Sequence, residues 1–291
     1  MYVDIVISNI FYLNKHFFFF FFSFSFRCSN KTRQGGQLSS LLYNVYTDDL
    51  HHHLHATGVG CNVEGAWVNS LIYADDMVLL APTVTALQTL SEVCRAYAGP
   101  HDIVYNTTKT VCMLVQPKQS QGRYSPRVRL RNEELSFVQE FRYLGHVMTA
   151  DCRDDKDIKK QFMRQNAVGN MQVKKFSFAP IEAEILLFKS YCYPIYGCAL
   201  WRHSYQNSIR KLTFSFGYTF KRLINVPRYT SSSLAFATNS TDHINVVFGK
   251  FVDSLMSRVT ASPNSIVSAI VNSDAYHQSS LIDKWESMLY V

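Results

Sequence analysis

Asp75 and Asp76 stand side by side in Leu71-Ile72-Tyr73-Ala74-Asp75-Asp76-Met77-Val78-Leu79-Leu80, at the tip of an otherwise apolar strand–turn–strand. Adjacent carboxylates repel and raise each other's pKa unless a cation neutralises them. Hard carboxylate oxygens suit Mg²⁺, which takes one or two protein ligands and completes its shell with water and substrate phosphates. Two such ions about 3.5–4 Å apart can clamp the attacking and leaving oxygens of an in-line displacement. The pair therefore fits one half of a nucleotidyl-transfer site. The same residues also fit an ordinary solvated hairpin tip, because Asp suits turns. Spacing alone leaves both readings open.

The elements around the pair carry further signals. Upstream, Lys31-Thr32-Arg33-Gln34-Gly35-Gly36-Gln37-Leu38-Ser39-Ser40-Leu41-Leu42-Tyr43-Asn44 reads as a basic Gly-Gly loop that opens a helix. Leu38, Leu41, Leu42, Val45 and Leu54 recur near helical spacing, which predicts one face packed on a sheet. Two glycines let a backbone approach a ligand with no Cβ in the way, and Arg33 with the helix N-terminus supplies positive potential for phosphate. Downstream come Asn106-Thr107-Thr108-Lys109-Thr110, then the apolar Val111-Cys112-Met113-Leu114-Val115, then Phe141-Arg142-Tyr143-Leu144-Gly145-His146.

In that order these segments resemble the reverse transcriptases of non-LTR (LINE-type) retrotransposons. Arg33-Gln34-Gly35-Gly36-Gln37-Leu38-Ser39-Ser40 is similar to the family's loop–helix beneath the incoming nucleotide and template, with Ser40 where the family usually has Pro. Tyr73-Ala74-Asp75-Asp76 matches the catalytic turn without departure. Asn106 to Thr110 resembles the family's Asn-x-x-Lys-Thr segment, and Phe141 to Gly145 its Phe-x-Tyr-Leu-Gly turn. The resemblance implies an α+β fold: a partial right-hand polymerase palm, an antiparallel sheet with helices, followed by an α-helical thumb. It makes Asp75 and Asp76 the catalytic residues and the ligands of Mg²⁺, with Mn²⁺ as the alternative, Asp75 being the more direct ligand. Arg33, Gln34, Gly35, Gly36, Tyr73 and Lys109 would line the nucleotide and template pocket. Phe141, Tyr143, Leu144 and Gly145 would position the primer end. The implied partners are an RNA template, a DNA primer and deoxynucleotides, with no obligate protein partner.

The family pattern also requires a third aspartate on an upstream strand, with a bulky aromatic nearby and a fingers region ahead of it. Asp4 is the sole carboxylate before Arg33, it lies close to the Gly-Gly loop, and no Ala-Phe-Asp-like continuation follows it. The expectation is an N-terminally truncated domain without primer extension, leaving a non-catalytic RNA- or DNA-binding remnant as the alternative function. The unbroken phenylalanine run from Phe17 to Phe22, extended by Phe24 and Phe26, reads as a low-complexity leader outside the family. It is shorter than the roughly 18–20 residues that span a bilayer, and apolar residues before Lys15 spoil a signal-peptide layout. Membrane attachment through this block is the weakest of the readings.

With 291 residues the chain can hold two cored domains, and its formal charge of +7 favours an anionic partner. The expected division is 1–32 leader, 33–150 partial palm, 151–230 thumb-like helices, and 231–291 of no assigned role. From Asp151 to Phe176 a helix is expected with Ile158, Phe162, Val168, Met171 and Phe176 inward and its charged face solvated or on phosphate. Pro180 should open a second helix, and Ser204 should cap a third carrying Ile209, Leu212, Phe216, Phe220 and Leu223, stopped by Pro227. Tyr196-Gly197-Cys198-Ala199-Leu200-Trp201 is similar to a Tyr-Gly-x-x-x-Trp segment found in the family's thumb. Seven cysteines without a Cys-x-x-Cys pair argue against structural zinc or a disulfide framework, so a reduced, intracellular protein is expected.

Overall fold

A computed structural model describes residues 17–23, 38–63, 66–73, 76–115, 126–130, 133–176, 178–201, 204–277 and 279–289. Strands β4 (Ser70–Tyr73) and β5 (Asp76–Ala81) form an antiparallel hairpin in register Tyr73↔Asp76 and Ser70↔Leu79. Strand β1 (Phe17–Ser23) lies between β5 and β6 (Val111–Val115), antiparallel to both, and β9 (Ser136–Phe137) adds a parallel edge to β6. The phenylalanine run, expected as a leader outside the domain, is thus the central strand of the five-stranded sheet. Aromatic residues favour strands, and the central place satisfies both backbone edges of β1. Strands β2 (Cys61–Val63) and β3 (Ala66–Val68), and β7 (Arg129–Leu130) and β8 (Glu133–Glu134), form two small antiparallel pairs beside this sheet.

Side chains of β5 alternate between two cores, as a strand's period of two requires. Met77, Leu79 and Ala81 face one cluster, with Leu50, Leu54, Leu87, Leu90 and Cys94 from helices α1 (Ser39–Ala56) and α2 (Val84–Ala98). Val78 and Leu80 face the other, with Val252, Leu255, Ile270, Leu281 and Trp285 from the C-terminal helices. Helix α2 is capped by Thr83, whose side chain accepts from the Ala86 N–H. Helix α1 departs from expectation. Thr47, Leu50 and Leu54 are buried, while Leu38, Leu41, Leu42 and Val45 are exposed. Nine residues make two and a half turns at about 3.6 residues per turn, so Val45 lies opposite Leu54 and one stripe cannot hold both.

Beyond the sheet the hairpin β10 (Glu140–Tyr143) and β11 (His146–Thr149) leads into α3 (Asp155–Phe176), α4 (Ile181–Cys192), a short 3-10 turn (Cys198–Leu200), α5 (Gln206–Leu223) and α6 (Ser232–Thr238). Pro180 stands at the start of α4 as expected. The residue before α5 is Tyr205, not Ser204; its N–H donates to Asp155 Oδ1 at 2.9 Å, and the Ser208 hydroxyl donates to the same oxygen at 2.5 Å. A carboxylate from the neighbouring helix therefore does the capping. Phe188, Phe216, Phe220 and Phe236 fill the core between these helices. Helices α3 and α5 touch closely at Gly169, where a Cβ would lie 2.4 Å from Thr219 Cγ2.

The inward side of α3 is polar: Asp157, Gln161, Gln165 and Gln172 are buried, whereas Met171 and Phe176, expected inward, are exposed. Two of the buried amides have backbone targets, Gln161 Nε2 donating to Tyr196 O and Gln172 Nε2 to Leu187 O, each at 2.9 Å. The C-terminal α7 (Ile244–Thr260), α8 (Ser265–Val271), α9 (Asp274–His277) and α10 (Ser280–Leu289) close the second sheet face. Trp285 Nε1 donates to Ala199 O at 2.7 Å, tying α10 to the 3-10 turn. Among the described residues no helix is long and apolar enough to cross a membrane.

Candidate functional site

The β4–β5 hairpin is anchored from below. Buried Asn69 donates through Nδ2 to Leu54 O at 2.7 Å and Val59 O at 3.0 Å, joining the end of α1 to the start of β4. Gly60 sits at φ +147, and a Cβ there would lie 2.6 Å from Asn69 Cβ, so the close passage needs glycine. At the far end of the hairpin Tyr73 is exposed and Asp76 is partly buried, Asp76 pairing in register with Tyr73 on one side and with Ser23 of β1 on the other. Asp75 lies outside the described residues, as do Arg33, Gln34, Gly35 and Gly36.

Asn106 to Thr110 forms a tight turn organised by its first residue. The Asn106 side-chain oxygen accepts from the Thr108 hydroxyl at 2.6 Å and the Lys109 N–H at 3.2 Å, and Asn106 O accepts from Thr110 N at 3.0 Å. This is the local bonding that makes Asn a turn former. Lys109 is left exposed just before β6. Val111 pairs with Phe21, which pairs with Val78, so β6 begins at the sheet end where β5 begins. Lys109 and Asp76 thus share one end of the sheet, two strands apart or roughly 10 Å.

In the β10–β11 hairpin Tyr143 is 2 % exposed and packs with Met148 in the core that holds Val78 and Leu80, with Phe141 and Leu144 against it. Tyr143↔His146 closes a two-residue turn in which Leu144 has φ +44 and Gly145 φ +86. Two successive positive φ values give the turn a type I′ twist that matches the strands. Gly145 also faces Tyr196, whose Cε1 would be 3.3 Å from a Cβ there. Leucine in the left-handed region carries a steric cost of roughly 1–2 kcal/mol. Leu144→Gly trades relief of that strain against lost packing on the core and a freer unfolded chain, so it is expected to change unfolding free energy by less than about 1 kcal/mol, and a loss of several kcal/mol in urea would sink that account.

A buried network, not anticipated from the sequence, holds this turn against α3. Asp157 is fully buried and its Oδ1 accepts from Val147 N and from Lys160 Nζ, both at 3.1 Å. Its Oδ2 accepts from Trp201 Nε1 at 2.9 Å and lies 3.2 Å from His146 Nδ1. Lys160 Nζ also donates to Gly145 O. Burial alone would raise the Asp157 pKa, but the His146 contact, the Trp201 N–H and the Lys160 charge outweigh it and hold the carboxyl at about 2. Asp157 was expected on the charged outer face of the helix. Its signal lay in the four-residue steps Asp157, Gln161, Gln165, which mark one helix side as polar and, with Trp201 and His146 to satisfy, inward.

The structure brings Tyr73, Asp76 and Lys109 to one end of the sheet, with the Phe141–Gly145 hairpin packed on the same core. Residues 4–148, about half of the chain, match the reverse transcriptase (RNA-dependent DNA polymerase) family. Over 144 residues the chain is 31 % identical to the Retrovirus-related Pol polyprotein from type-2 retrotransposable element R2DM of Drosophila melanogaster. Residues 4–148 are a reverse transcriptase domain of the non-LTR retrotransposon type. The match to the fruit-fly polyprotein covers 45 % of this chain and 13 % of that protein's length. The reverse transcriptase domain includes the phenylalanine strand β1, which falls inside the matched residues and inside the sheet. Its family works on a nucleic-acid template and primer and generally uses Mg²⁺. Among the described residues, Asp76 is the site carboxylate on β5, and no group of three or more His, Cys, Asp or Glu is placed to hold a metal ion.

Proposed function

We propose that this chain is a palm–thumb portion of a retroelement reverse transcriptase that binds template–primer nucleic acid and does not itself extend a primer. One observation carries the second half. The strand laid against the catalytic hairpin, where it reaches Asp76, presents Ser23, and the sequence holds no Asp or Glu between Asp4 and Asp48. Two metal ions bridged through an in-line displacement need carboxylates from both strands at that end. Asp75 and Asp76 are a donor set for one hard cation, Mg²⁺ or Mn²⁺, and fall short of a set for two.

In this reading Arg33, Gln34, Gly35, Gly36, Tyr73 and Lys109 line the template and nucleotide side, and the Phe141–Gly145 turn meets the primer strand. α3 is the thumb helix next to that turn, with Lys159, Arg164, Lys174 and Lys175 along it. The test is primer extension on an RNA template with deoxynucleotides and Mg²⁺ or Mn²⁺, alongside a gel shift of the same template–primer. The expected result is a salt-sensitive shift, unchanged by Asp75→Asn, with no extended product. Extension that Asp75→Asn abolishes would overturn the claim of inactivity, and no shift at low salt would overturn the claim of binding.

A further inference from the structure

The charge of this protein is concentrated in one stretch. Residues 185–241 contain seven Lys and Arg and no Asp or Glu, which equals the net +7 of the whole chain; the rest sums to zero. This stretch builds α5, its neighbours and the loop after α5. Helix α3 beside it carries no carboxylate from Ile158 to Phe176. The two helices run side by side in the same direction, through Ser215 Oγ to Asn166 Oδ1 at 2.7 Å and Arg222 Nη1 to Asn170 Oδ1 at 2.6 Å. Their common outer side is not a plain cationic face. Phe214, 59 % exposed, and Tyr218 lie one helical turn apart with rings parallel within 6°. Arg222 and Arg228 each stand 5.6 Å from the Tyr218 ring centroid. Arg228 is held there because buried Lys221 donates to Arg228 O at 2.9 Å and Thr230 O at 3.0 Å, pinning the loop to the helix. The carboxylates that bound the stretch are Glu184, in the first turn of α4, and Asp242, which pairs with Lys250 at 2.6 Å.

We propose that this aromatic and arginine face of α5, bordered by α3, is a docking surface for single-stranded RNA. The inference goes beyond the template–primer contact at the β10–β11 turn and rests on the reading of the chain as nucleic-acid-binding. Charge alone would suit any polyanion. The Phe214–Tyr218 pair, with Phe214 exposed and Tyr218 half-buried beside it, decides for a strand with unpaired bases, because a duplex hides its base faces and a bare polyanion has none. Base–aromatic stacking with flanking arginines is the way single strands are held without regard to sequence. RNA is the strand in question because the family copies RNA.

The experiment is fluorescence anisotropy with the full chain and a labelled oligouridylate longer than the roughly 4–16 nucleotides that one binding module covers. Phe214→Ala/Tyr218→Ala is expected to weaken oligouridylate binding at least tenfold while leaving heparin binding and RNA–DNA hybrid duplex binding in place. Tyr218→Phe, which keeps the ring, should retain affinity, and far-UV circular dichroism should match wild type for both variants. Unchanged oligouridylate affinity in the double variant would overturn the proposal. So would an equal loss on heparin, which would make the face a charge sensor only. Displacement of oligouridylate by polyglutamate as effective as by oligouridylate itself would assign the face to an acidic protein, and tighter binding of oligothymidylate would assign it to DNA. Loss of hybrid-duplex binding in wild type, with oligouridylate still bound, would count against the template–primer reading and leave this surface standing.

Discussion

Asp157→Ala is expected to lower folding stability by about 3–5 kcal/mol, the range for breaking a buried hydrogen-bonded charge. The loss has named parts: the Val147 N–H, the Trp201 indole N–H and the Lys160 ammonium all give up an acceptor in the interior. Because Val147 belongs to β11 and Trp201 follows the 3-10 turn, the same substitution frees the hairpin turn from α3. Urea unfolding at neutral pH measures the first effect; a cost below about 1 kcal/mol, ordinary for a surface change, would sink it. The carboxyl also sets an acid limit. Its pKa is depressed in the fold to about 2, so its contribution is complete above the unfolded value near 3.9 and is lost as pH falls through the folded one. That depression corresponds to roughly 2–3 kcal/mol. Asp157→Asn should flatten the stability profile over that acid window, and an unaltered acid slope would assign the loss to other carboxylates.

Phe220→Ala should cost a similar 3–5 kcal/mol. Phe220 is fully buried, stacked on Phe236 with centroids 4.4 Å apart and tilted against Phe188 at 4.9 Å. A methyl group cannot fill that space, and the ring contacts on both sides are lost with it. Trp201 lies in the same core and Trp285 in the core beneath the sheet. With the exposed third indole, Trp67, replaced by Phe, removing either of these two in turn by Trp→Phe lets fluorescence report the two regions separately. The expected result is that the helical core around Trp201 melts at lower urea than in wild type. A midpoint within experimental error of wild type would refute the assigned packing.

What the sequence disclosed depended on whether a local rule was enough. Asn106 to Lys109 forms a turn because the Asn106 side chain bonds the backbone that follows it, and Tyr73 pairs with Asp76 where the two apolar runs placed a hairpin. Leu144-Gly145 is harder, since leucine does not favour positive φ; only the flanking Tyr143 and His146 pairing forces it. β1 was illegible for a different reason. Six identical phenylalanines carry no alternation, so nothing in them distinguishes a two-sided central strand from a low-complexity leader. On α1 the apolar residues fall on two opposite sides, and spacing counted without phase merged them. Asp157 was hidden because charge near a helix start usually means solvent; the partners that reverse the rule, Trp201 and His146, are brought to it only by the fold.

The C-terminal helices have a consequence for how this chain is made. Val78 and Leu80 are packed by Leu281 and Trp285, residues about two hundred positions later in the chain. At roughly 5–20 residues per second of synthesis, the hairpin's second side waits some ten to forty seconds on the ribosome before its cover exists. During that interval the nascent chain offers a finished strand edge and an open apolar surface to its surroundings. Translation speed over those two hundred positions therefore sets how long that surface stays uncovered.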